Sequence, residues 1–294
     1  MNPRLGPVGW ETVLMSMTAV PVVPQRAGTP LLIRDGLSWI DSGTAAPVLQ
    51  NLLNVGREFF EGPAADRESI AANTTMTGWR RIGIEYSVSA SRPDLNETFC
   101  YRFRDDAEGV LPESTRSHPL VVAARAAQAE LDVLASTAMD GIGDYVGRAA
   151  DAQKVRHRNE SWLQMNWSRP AVAQRDFIQD AHEDGHLVTL LMADAEGLEV
   201  LHKVDGWISV LPDPSKLVCF AGECGSFLSG DAVFPMMHRV RARRDVASRL
   251  SVAYFVNPDL DQTLDPWVPN ERNRGVDLLL WGQQNPARFG LPTL

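Results

Sequence analysis

The sequence predicts a mainly β fold with a helical front layer. Two stretches in the first 160 residues, at 46–60 and 118–146, have the composition and apolar pattern of helices. From Trp162 onward, short runs rich in β-branched and apolar residues alternate with turn signals, as in LVTLLM, GLEVLH, GWISVLP and RLSVAYFV. Strand-length runs at such intervals are typical of a sandwich or barrel. We therefore expect helices in front of an all-β core.

The elements of the front layer follow one another in a clear order. A Pro- and Gly-rich start contains one short expected strand at 19–23, and the stretch APVLQNLLNVGREFF then has one apolar face. A shorter helix is expected near 66–72. The last helix, at 118–146, is rich in Ala, Leu and Glu, and Pro119 suits its first turn.

The chain is expected to fold as one domain. Its 294 residues are 44% hydrophobic and 22% charged, which is ordinary for a globular protein with a sizeable core. No flexible linker separates the helical and β parts. We expect a single domain 1–294, made of a mostly helical N-terminal layer (1–160), a core (161–260) and a C-terminal tail that packs on the core (261–294).

Charge and cysteine content limit the partners. A formal net charge of −9 argues against nucleic acid or anionic membranes as partners. No apolar run approaches the roughly 20 residues that span a bilayer, and the N-terminus lacks the pattern of a secretory signal. Three cysteines are too few for a disulfide framework and suit a reducing cytosol. A cytoplasmic monomer is therefore expected.

The stretch HEDGH fits two metal-binding patterns. On a helix, the HExxH pattern of zinc peptidases would aim His182 and His186 at one zinc ion, with Glu183 as the base. Gly185 opposes that helix by about 1 kcal/mol relative to alanine, and no third ligand follows at a recognised spacing. In an extended segment, His182 and Asp184 instead project to the same side. This second pattern supplies two of the three ligands of a non-haem iron site.

That iron site needs a second histidine, and His238 is the best candidate among the six. In PMMHRVRARR the arginines alternate with Val240 and Ala242, so His238 faces inward if the arginines face solvent. Further on, Arg249 and Ser251 share one face of a strand, where a guanidinium and a hydroxyl can jointly bind a carboxylate. The order of these motifs predicts a metal site next to a carboxylate site.

Taken together, these motifs resemble those of the isopenicillin N synthase-like family of iron(II)/2-oxoglutarate-dependent oxygenases. The likeness is strongest in two blocks, HEDGHLVTLLMADAEGLEVLHKVDGWISVLPDPSKLVCFAGE and HRVRARRDVASRLSVAYFVNPD. The front half matches more loosely, at GREFFEGPAADRESIA, TTMTGWRRIG and DLNETFCYRF. The resemblance covers residues 35–260, with its specific motifs only from residue 163 onward.

The resemblance implies a double-stranded β-helix, a jelly-roll core with the metal at one end. It assigns the iron(II) ligands to His182, Asp184 and His238, with 2-oxoglutarate and O2 taking the remaining positions. Arg249 and Ser251 would bind the distal carboxylate of 2-oxoglutarate. Isopenicillin N synthase uses a similar Arg-x-Ser pair for its substrate's carboxylate, so the pair indicates a carboxylate site more securely than it names the occupant.

Further residues are expected around the co-substrate and the substrate. The family often has Asn-Tyr-Tyr before the first iron ligand, whereas this sequence has Asn-Trp-Ser. A contact between Asn166 and the co-substrate is therefore expected, without the tyrosine. Four residues of the front half are candidates for lining the substrate pocket: Trp79, Arg80, Arg81 and Phe99.

The expected function is oxidation of a small molecule by hydroxylation, desaturation or oxidative cyclisation. The compact length and the Ala-, Arg- and Asp-rich composition suggest a step in bacterial specialised-metabolite biosynthesis, such as antibiotic biosynthesis. Two alternatives remain: a zinc-dependent hydrolase that uses HEDGH, and an inactive jelly-roll binding protein. The oxygenase is favoured over the binding protein because no metal or co-substrate position is missing.

Overall fold

The computed structural model describes residues 35–72, 75–156, 158–259 and 265–271, together with residues 32, 273, 280 and 284. Within this part, the helices are α1 (Ala46–Glu61), α2 (Ala64–Ser69), α3 (Phe103–Ala107), α4 (Glu113–Arg116), α5 (Pro119–Tyr145), α6 (Ala149–Val155) and α7 (Glu223–Leu228), with 3-10 turns at Gly43–Ala45 and Pro170–Val172. The strands are β1 (Leu37–Asp41), β2 (Gly78–Arg80), β3 (Asn96–Arg102), β4 (Trp162–Ser168), β5 (Phe177–His182), β6 (Val188–Ala193), β7 (Leu198–His202), β8 (Gly206–Ser209), β9 (Lys216–Ala221), β10 (His238–Arg241) and β11 (Arg249–Val256).

The strands form two antiparallel sheets on either side of a cavity. The larger sheet has the order β1-β9-β6-β11-β4-β3-β2, and the smaller has the order β5-β10-β7-β8. Side chains from both sheets line the cavity between them. Two antiparallel sheets that face each other in this way form a jelly roll. The predicted fold, mainly β with a helical front layer and a jelly-roll core, is therefore confirmed.

The two faces of the larger sheet have different surroundings, one in the hydrophobic core and the other in the cavity. Because side chains alternate along a strand, Leu163, Met165 and Trp167 of β4 pack into the hydrophobic core beneath the helices. Gln164 and Asn166 of the same strand line the cavity. The sheet thus separates a core that stabilises the fold from a polar interior.

Helices α1 and α5 pack against the larger sheet. Helix α1 buries an apolar stripe that includes Leu52 and Phe59. Helix α5 begins after His118, whose ring nitrogen accepts a hydrogen bond from the backbone N–H of Leu120 (3.2 Å), and Pro119 occupies its first turn. The helices predicted at 46–60 and 118–146 are therefore confirmed, with ends that differ by one residue at most.

The front part of the chain contributes more of the larger sheet than its helical patterns indicate. Strands β1, β2 and β3 all belong to it, and β3 pairs with β4 along its whole length, from Asn96 opposite Ser168 to Arg102 opposite Trp162. Most of β3 is buried on both faces. A strand covered on both faces lacks the alternation of polar and apolar residues that marks a half-exposed strand.

Both ends of the chain lie largely outside the described residues. This holds for the strand predicted at 19–23 and for most of the tail predicted at 261–294. Within that tail, Trp267 is buried and donates its backbone N–H to the carbonyl of Leu228 (2.8 Å). Among the helices that the structure describes, none combines the length and hydrophobicity needed to cross a bilayer.

The loop after β5 is fixed by the N-terminus of α7. The carbonyl oxygens of Asp184, Gly185 and His186 accept hydrogen bonds from the backbone N–H groups of residues 223–225, at 2.8, 3.2 and 3.3 Å. The HEDGH stretch is accordingly a strand end and a loop, and the helix required by the zinc-peptidase pattern does not form there. Gly222 lies against this loop, since a Cβ atom at that position would come within 2.2 Å of the His186 carbonyl oxygen.

Burial of Phe99 in the core gives a stability prediction. Its side chain is fully buried, with its ring centroid 6.2 Å from that of Phe59. We expect Phe99→Ala to lower the free energy of unfolding by about 3–5 kcal/mol, because the substitution leaves a cavity. Urea denaturation measures this change. Val133→Ala, at a position 65% exposed on α5, is the control and should stay within about 0.5 kcal/mol; equal effects of the two substitutions would contradict the core position of Phe99.

Candidate functional site

The cavity between the two sheets contains most of the predicted site residues. It is partly open to solvent. One group of lining residues comes from the sheets and their connections, and a second group comes from the loop at 81–95. These residues include His182, Asp184, His238, Arg249, Ser251, Asn166, Gln164, Arg80, Glu85 and Asp94.

Three of these side chains form a potential metal-binding cluster. His182, Asp184 and His238 each offer one ligand atom, and the three atoms lie within 4.8 Å of one another. The Nε2 atoms of His182 and His238 lie 3.7 and 3.8 Å from the same oxygen, Oδ1 of Asp184. Strand pairing explains this convergence, because His182 at the end of β5 lies opposite His238 at the start of β10.

Backbone carbonyls orient both imidazole rings. Nδ1 of His182 lies 2.8 Å from the carbonyl oxygen of Asp180, and Nδ1 of His238 lies 3.0 Å from that of Met236. A carbonyl oxygen can only accept, so Nδ1 carries a proton in both rings, and the lone pair of each ring in its neutral form is on Nε2. Both lone pairs therefore belong to the nitrogens that approach Asp184, an arrangement typical of histidine ligands.

The carboxylate of Asp184 is buried and held by Thr189, whose hydroxyl donates to Oδ2 (2.6 Å). Burial alone would raise the pKa of Asp184, but His238, His182 and the Thr189 hydroxyl outweigh it and hold the pKa below its ordinary value. Burial lowers the pKa of His182, and the neighbouring His238 lowers it further. An ionised carboxylate and a neutral imidazole are the forms that bind a metal.

The two other polar residues of HEDGH lie outside this cluster. The cluster does not include Glu183 or His186. Nδ1 of His186 lies 2.8 Å from the side-chain oxygen of Asn257, and its ring packs edge-on against Trp162 at 4.9 Å. His186 therefore has a structural hydrogen bond in place of the metal contact that the zinc-hydrolase alternative requires.

Arg249 and Ser251 lie together on the cavity face of β11. The Nη1 atom of Arg249 donates to the Ser251 hydroxyl (2.9 Å), whereas its Nε and Nη2 atoms have no hydrogen-bond partner among the described residues. Burial lowers the pKa of Arg249 to about 10, against the opposing charge of Asp194. On the adjacent strand, Asn166 pairs with Ser251. A buried guanidinium with two unused donors fits a carboxylate ligand.

Of the four residues predicted to line the substrate pocket, only Arg80 does so. Trp79 points to the opposite face of β2, where its indole N–H donates to Glu97 (2.9 Å). Phe99 also lies in the core on that face, and Arg81 is exposed beyond the end of β2. The structure therefore contradicts the prediction for these three: Trp79 and Phe99 lie on the face opposite the cavity because successive side chains of a strand point to opposite faces, and Arg81 lies outside the strand.

Several residues of the cavity were not found from the sequence. Glu85 and Asp94 belong to the loop at 81–95, where the Asp94 carboxylate accepts hydrogen bonds from the backbone N–H and the hydroxyl of Ser87 (3.2 and 2.8 Å). No periodic pattern marks a loop of this kind. Thr189 did leave a signal, since it is the polar residue within the otherwise apolar run LVTLLM.

Comparison with known proteins agrees with a metal site formed by His182, Asp184 and His238. Residues 160–258 match the family model of the 2OG-Fe(II) oxygenase superfamily. The Arabidopsis thaliana protein 1-aminocyclopropane-1-carboxylate oxidase homolog 9 is 37% identical over 109 residues, which cover 37% of this chain and 27% of the relative's length. Homolog 6 from the same plant is 26% identical over 259 residues, covering 85% of this chain and 68% of the relative.

The fold also matches solved structures. The crystal structure of a full-length Neurospora crassa protein in complex with alpha-KG has a TM-score of 0.71 at 19% identity and covers 89% of each chain. The family match includes all three residues of the cluster as well as Arg249 and Ser251. Residues 160–258 thus match the 2OG-Fe(II) oxygenase superfamily, in agreement with the family predicted from the sequence and with iron(II), 2-oxoglutarate and O2 as the predicted cofactors.

Proposed function

We propose that this chain is an iron(II)- and 2-oxoglutarate-dependent dioxygenase that oxidises a small molecule. The observation that most strongly supports this proposal is the convergence of His182, Asp184 and His238 in a cavity that also contains the buried Arg249. Iron(II) and 2-oxoglutarate bound there would supply the oxidation of a substrate C–H bond, driven by O2 and the decarboxylation of 2-oxoglutarate to succinate.

The donor set fits iron(II). Two neutral imidazoles and one carboxylate form the 2-His-1-carboxylate set, which leaves coordination positions open for other ligands. The Thr189 hydroxyl engages Oδ2 of Asp184, so Oδ1 is the oxygen that approaches both histidines. Thr189 therefore favours binding of the metal through one carboxylate oxygen.

The carboxylate site fits 2-oxoglutarate. Arg249 would bind the distal carboxylate through its unused donors, with the Ser251 hydroxyl beside it. The side-chain oxygen of Asn166 accepts hydrogen bonds from Asn96 (3.2 Å) and Gln164 (2.9 Å). The amide N–H groups of Asn166 are consequently what this residue can offer to the co-substrate.

Apolar side chains complete the cavity. Leu191, Leu198 and Phe220 line it, and the Phe220 ring lies 4.7 Å from the His238 ring. Such residues exclude water from the reacting groups. The reaction we propose is hydroxylation, desaturation or oxidative cyclisation of a small molecule, and a role in bacterial specialised metabolism stays a prediction from length and composition.

Metal binding separates the oxygenase from its alternatives. We expect Asp184→Ala to weaken iron(II) binding by more than about 100-fold, since even partners outside the coordination shell contribute about 10–100-fold. Glu183→Gln should change the affinity less than about threefold. Anaerobic titration with iron(II) measures both. A zinc hydrolase would show the reverse sensitivity in its activity, and an inactive binding protein would form no succinate from 2-oxoglutarate with either residue intact.

Removing the charge of Arg249 should weaken 2-oxoglutarate binding but stabilise the protein without 2-oxoglutarate. We expect Arg249→Met to weaken 2-oxoglutarate binding by about 10–100-fold, because hydrogen bonds to charged groups contribute about 1.5–3 kcal/mol. Without 2-oxoglutarate the same variant should melt at a higher temperature, since burial that depresses the pKa of a cation disfavours its charged form in the folded state. Calorimetric titration and thermal melts measure the two effects. Ser251→Ala is the milder comparison, and unchanged 2-oxoglutarate affinity in Arg249→Met would refute the assignment.

The contact between Gly222 and the loop after β5 predicts that a larger side chain at position 222 weakens iron(II) binding. A Cβ atom at 222 would lie 2.2 and 2.8 Å from the carbonyl oxygens of His186 and Asp184, so Gly222→Ala must shift the loop. We expect iron(II) affinity to fall by about 10–100-fold, as for other disturbances outside the coordination shell. Gly56→Ala is the control, because its Cβ would press on the end of the Met165 side chain in the core. Equal affinities in the two variants would show that the loop tolerates the shift.

A further inference from the structure

A buried ion pair with unused hydrogen-bonding atoms lines the cavity beside the proposed co-substrate site. Arg80 of β2 is 7% exposed, and its Nη2 atom donates to the carbonyl oxygen of Met76 (2.9 Å). Its Nε atom lies 3.8 Å from Oε1 of Glu85, which is an ion pair too long for a hydrogen bond. The Nη1 atom has no hydrogen-bond partner in the described part of the chain. Arg80 therefore has one donor, Nη1, that no described residue uses.

Glu85 has the complementary unused atom. Its Oε2 atom accepts a hydrogen bond from the side chain of Gln164 (3.2 Å), whose amide also donates to Asn166. Its Oε1 atom has no hydrogen-bond partner among the residues described. Burial raises the pKa of Glu85, while Arg80 and the Thr98 hydroxyl act against that rise. One donor and one acceptor thus lie unused at the same end of the cavity.

The loop that contains Glu85 is held in place by several contacts. The carbonyl of Glu85 accepts a hydrogen bond from the backbone N–H of Asp94 (2.9 Å). The backbone N–H of Leu95 donates to Ile178 of β5 (2.9 Å), and Arg92 forms an ion pair with Asp180 on the same strand. The Glu85 carboxylate is therefore positioned relative to the strand that ends in His182.

The two unused atoms define what a ligand must offer. An anion alone would match Arg80 but lie against the Glu85 carboxylate, and a cation alone would do the reverse. An apolar group would leave both buried atoms without hydrogen bonds, at about 1–3 kcal/mol each. A group with an acceptor for Arg80 and a donor for Glu85 satisfies both atoms without adding net charge.

We propose that the substrate has an N–H donor next to a hydrogen-bond acceptor, and that Arg80 and Glu85 bind this group in the cavity. The group is either a neutral amide, H–N–C=O, or the ammonium and carboxylate of an α-amino acid. This inference rests on the proposed oxygenase function and specifies the polar part of its substrate.

Fragment binding tests the proposal. The protein is loaded with 2-oxoglutarate and with Zn(II) as a diamagnetic substitute for iron, and binding is followed by saturation-transfer NMR. 2-Pyrrolidinone is compared with N-methyl-2-pyrrolidinone, and L-norvaline is compared with pentanoate and butylamine. We expect at least one parent fragment to bind about tenfold or more tightly than its own controls, as loss of one such hydrogen bond predicts. Equal binding of parent and control, or no binding of either parent, overturns the proposal.

Variants identify the residues and distinguish the two groups. Arg80→Met should weaken the bound fragment by about tenfold or more, whereas Arg81→Met, at the exposed neighbouring position, should leave it unchanged. Glu85→Gln keeps an acceptor oxygen but removes the charge. The affinity for 2-pyrrolidinone should then stay within about threefold and that for L-norvaline should fall about tenfold. Equal effects of Arg80→Met and Arg81→Met would place the fragment elsewhere and overturn the proposal.

The same samples separate this inference from the proposed function. Metal-dependent binding of 2-oxoglutarate is measured for each variant, and thermal melts check folding. If 2-oxoglutarate binds but the fragments do not discriminate, the substrate inference fails alone. If 2-oxoglutarate does not bind even to the unchanged protein, the proposed function fails with it.

Discussion

The antiparallel pairing of β5 with β10 is the constraint on which the rest of the site depends. It places His182 opposite His238, and a slip of one residue in either strand would turn one imidazole to the other face of the sheet. Asp184 lies beyond the end of β5, where no strand ladder can hold it. The N-terminus of α7 replaces the ladder by donating hydrogen bonds to the carbonyls of this loop. All three side chains are thus positioned by hydrogen bonds of the backbone.

The interior of the jelly roll contains polar groups that the described part of the chain does not satisfy. Within the described residues, two donors of Arg249 and one atom each of Arg80 and Glu85 have no hydrogen-bond partner. Such groups destabilise the folded chain until a ligand binds them. The opposite face of the same sheet offsets this, since Leu163 and Met165 pack into a continuous core with the helices. A sheet with one apolar and one polar face can therefore combine stability with a cavity prepared for charged ligands.

The sequence predicts the periodic elements and the ordered motifs of this fold and site better than it predicts strand faces and loop residues. The helical stripes and the strand runs were recognisable because each has a period, and the ordered motifs identified His182, Asp184, His238 and Arg249. The substrate residues were harder, because a run such as GWRR gives the positions of side chains but not which face of the strand meets the cavity. Arg80 was therefore named together with three residues that lie elsewhere. Loop residues such as Glu85 have no period, and their positions follow only from contacts made by distant parts of the chain.

These positions also limit where substrate specificity can change. In the proposed enzyme, β5, β10 and β11 carry groups that bind iron and 2-oxoglutarate, so substitutions of those groups would affect every substrate alike. β2 and the loop at 81–95 approach the cavity at the edge of the larger sheet and contribute Arg80 and Glu85. Gln164 of β4 connects Glu85 with the proposed co-substrate site, since its amide donates to both Glu85 and Asn166. A change at Arg80 or Glu85 can thus alter the group that is recognised while the metal ligands keep their geometry. A change at Gln164 would affect both substrate recognition and the proposed co-substrate site.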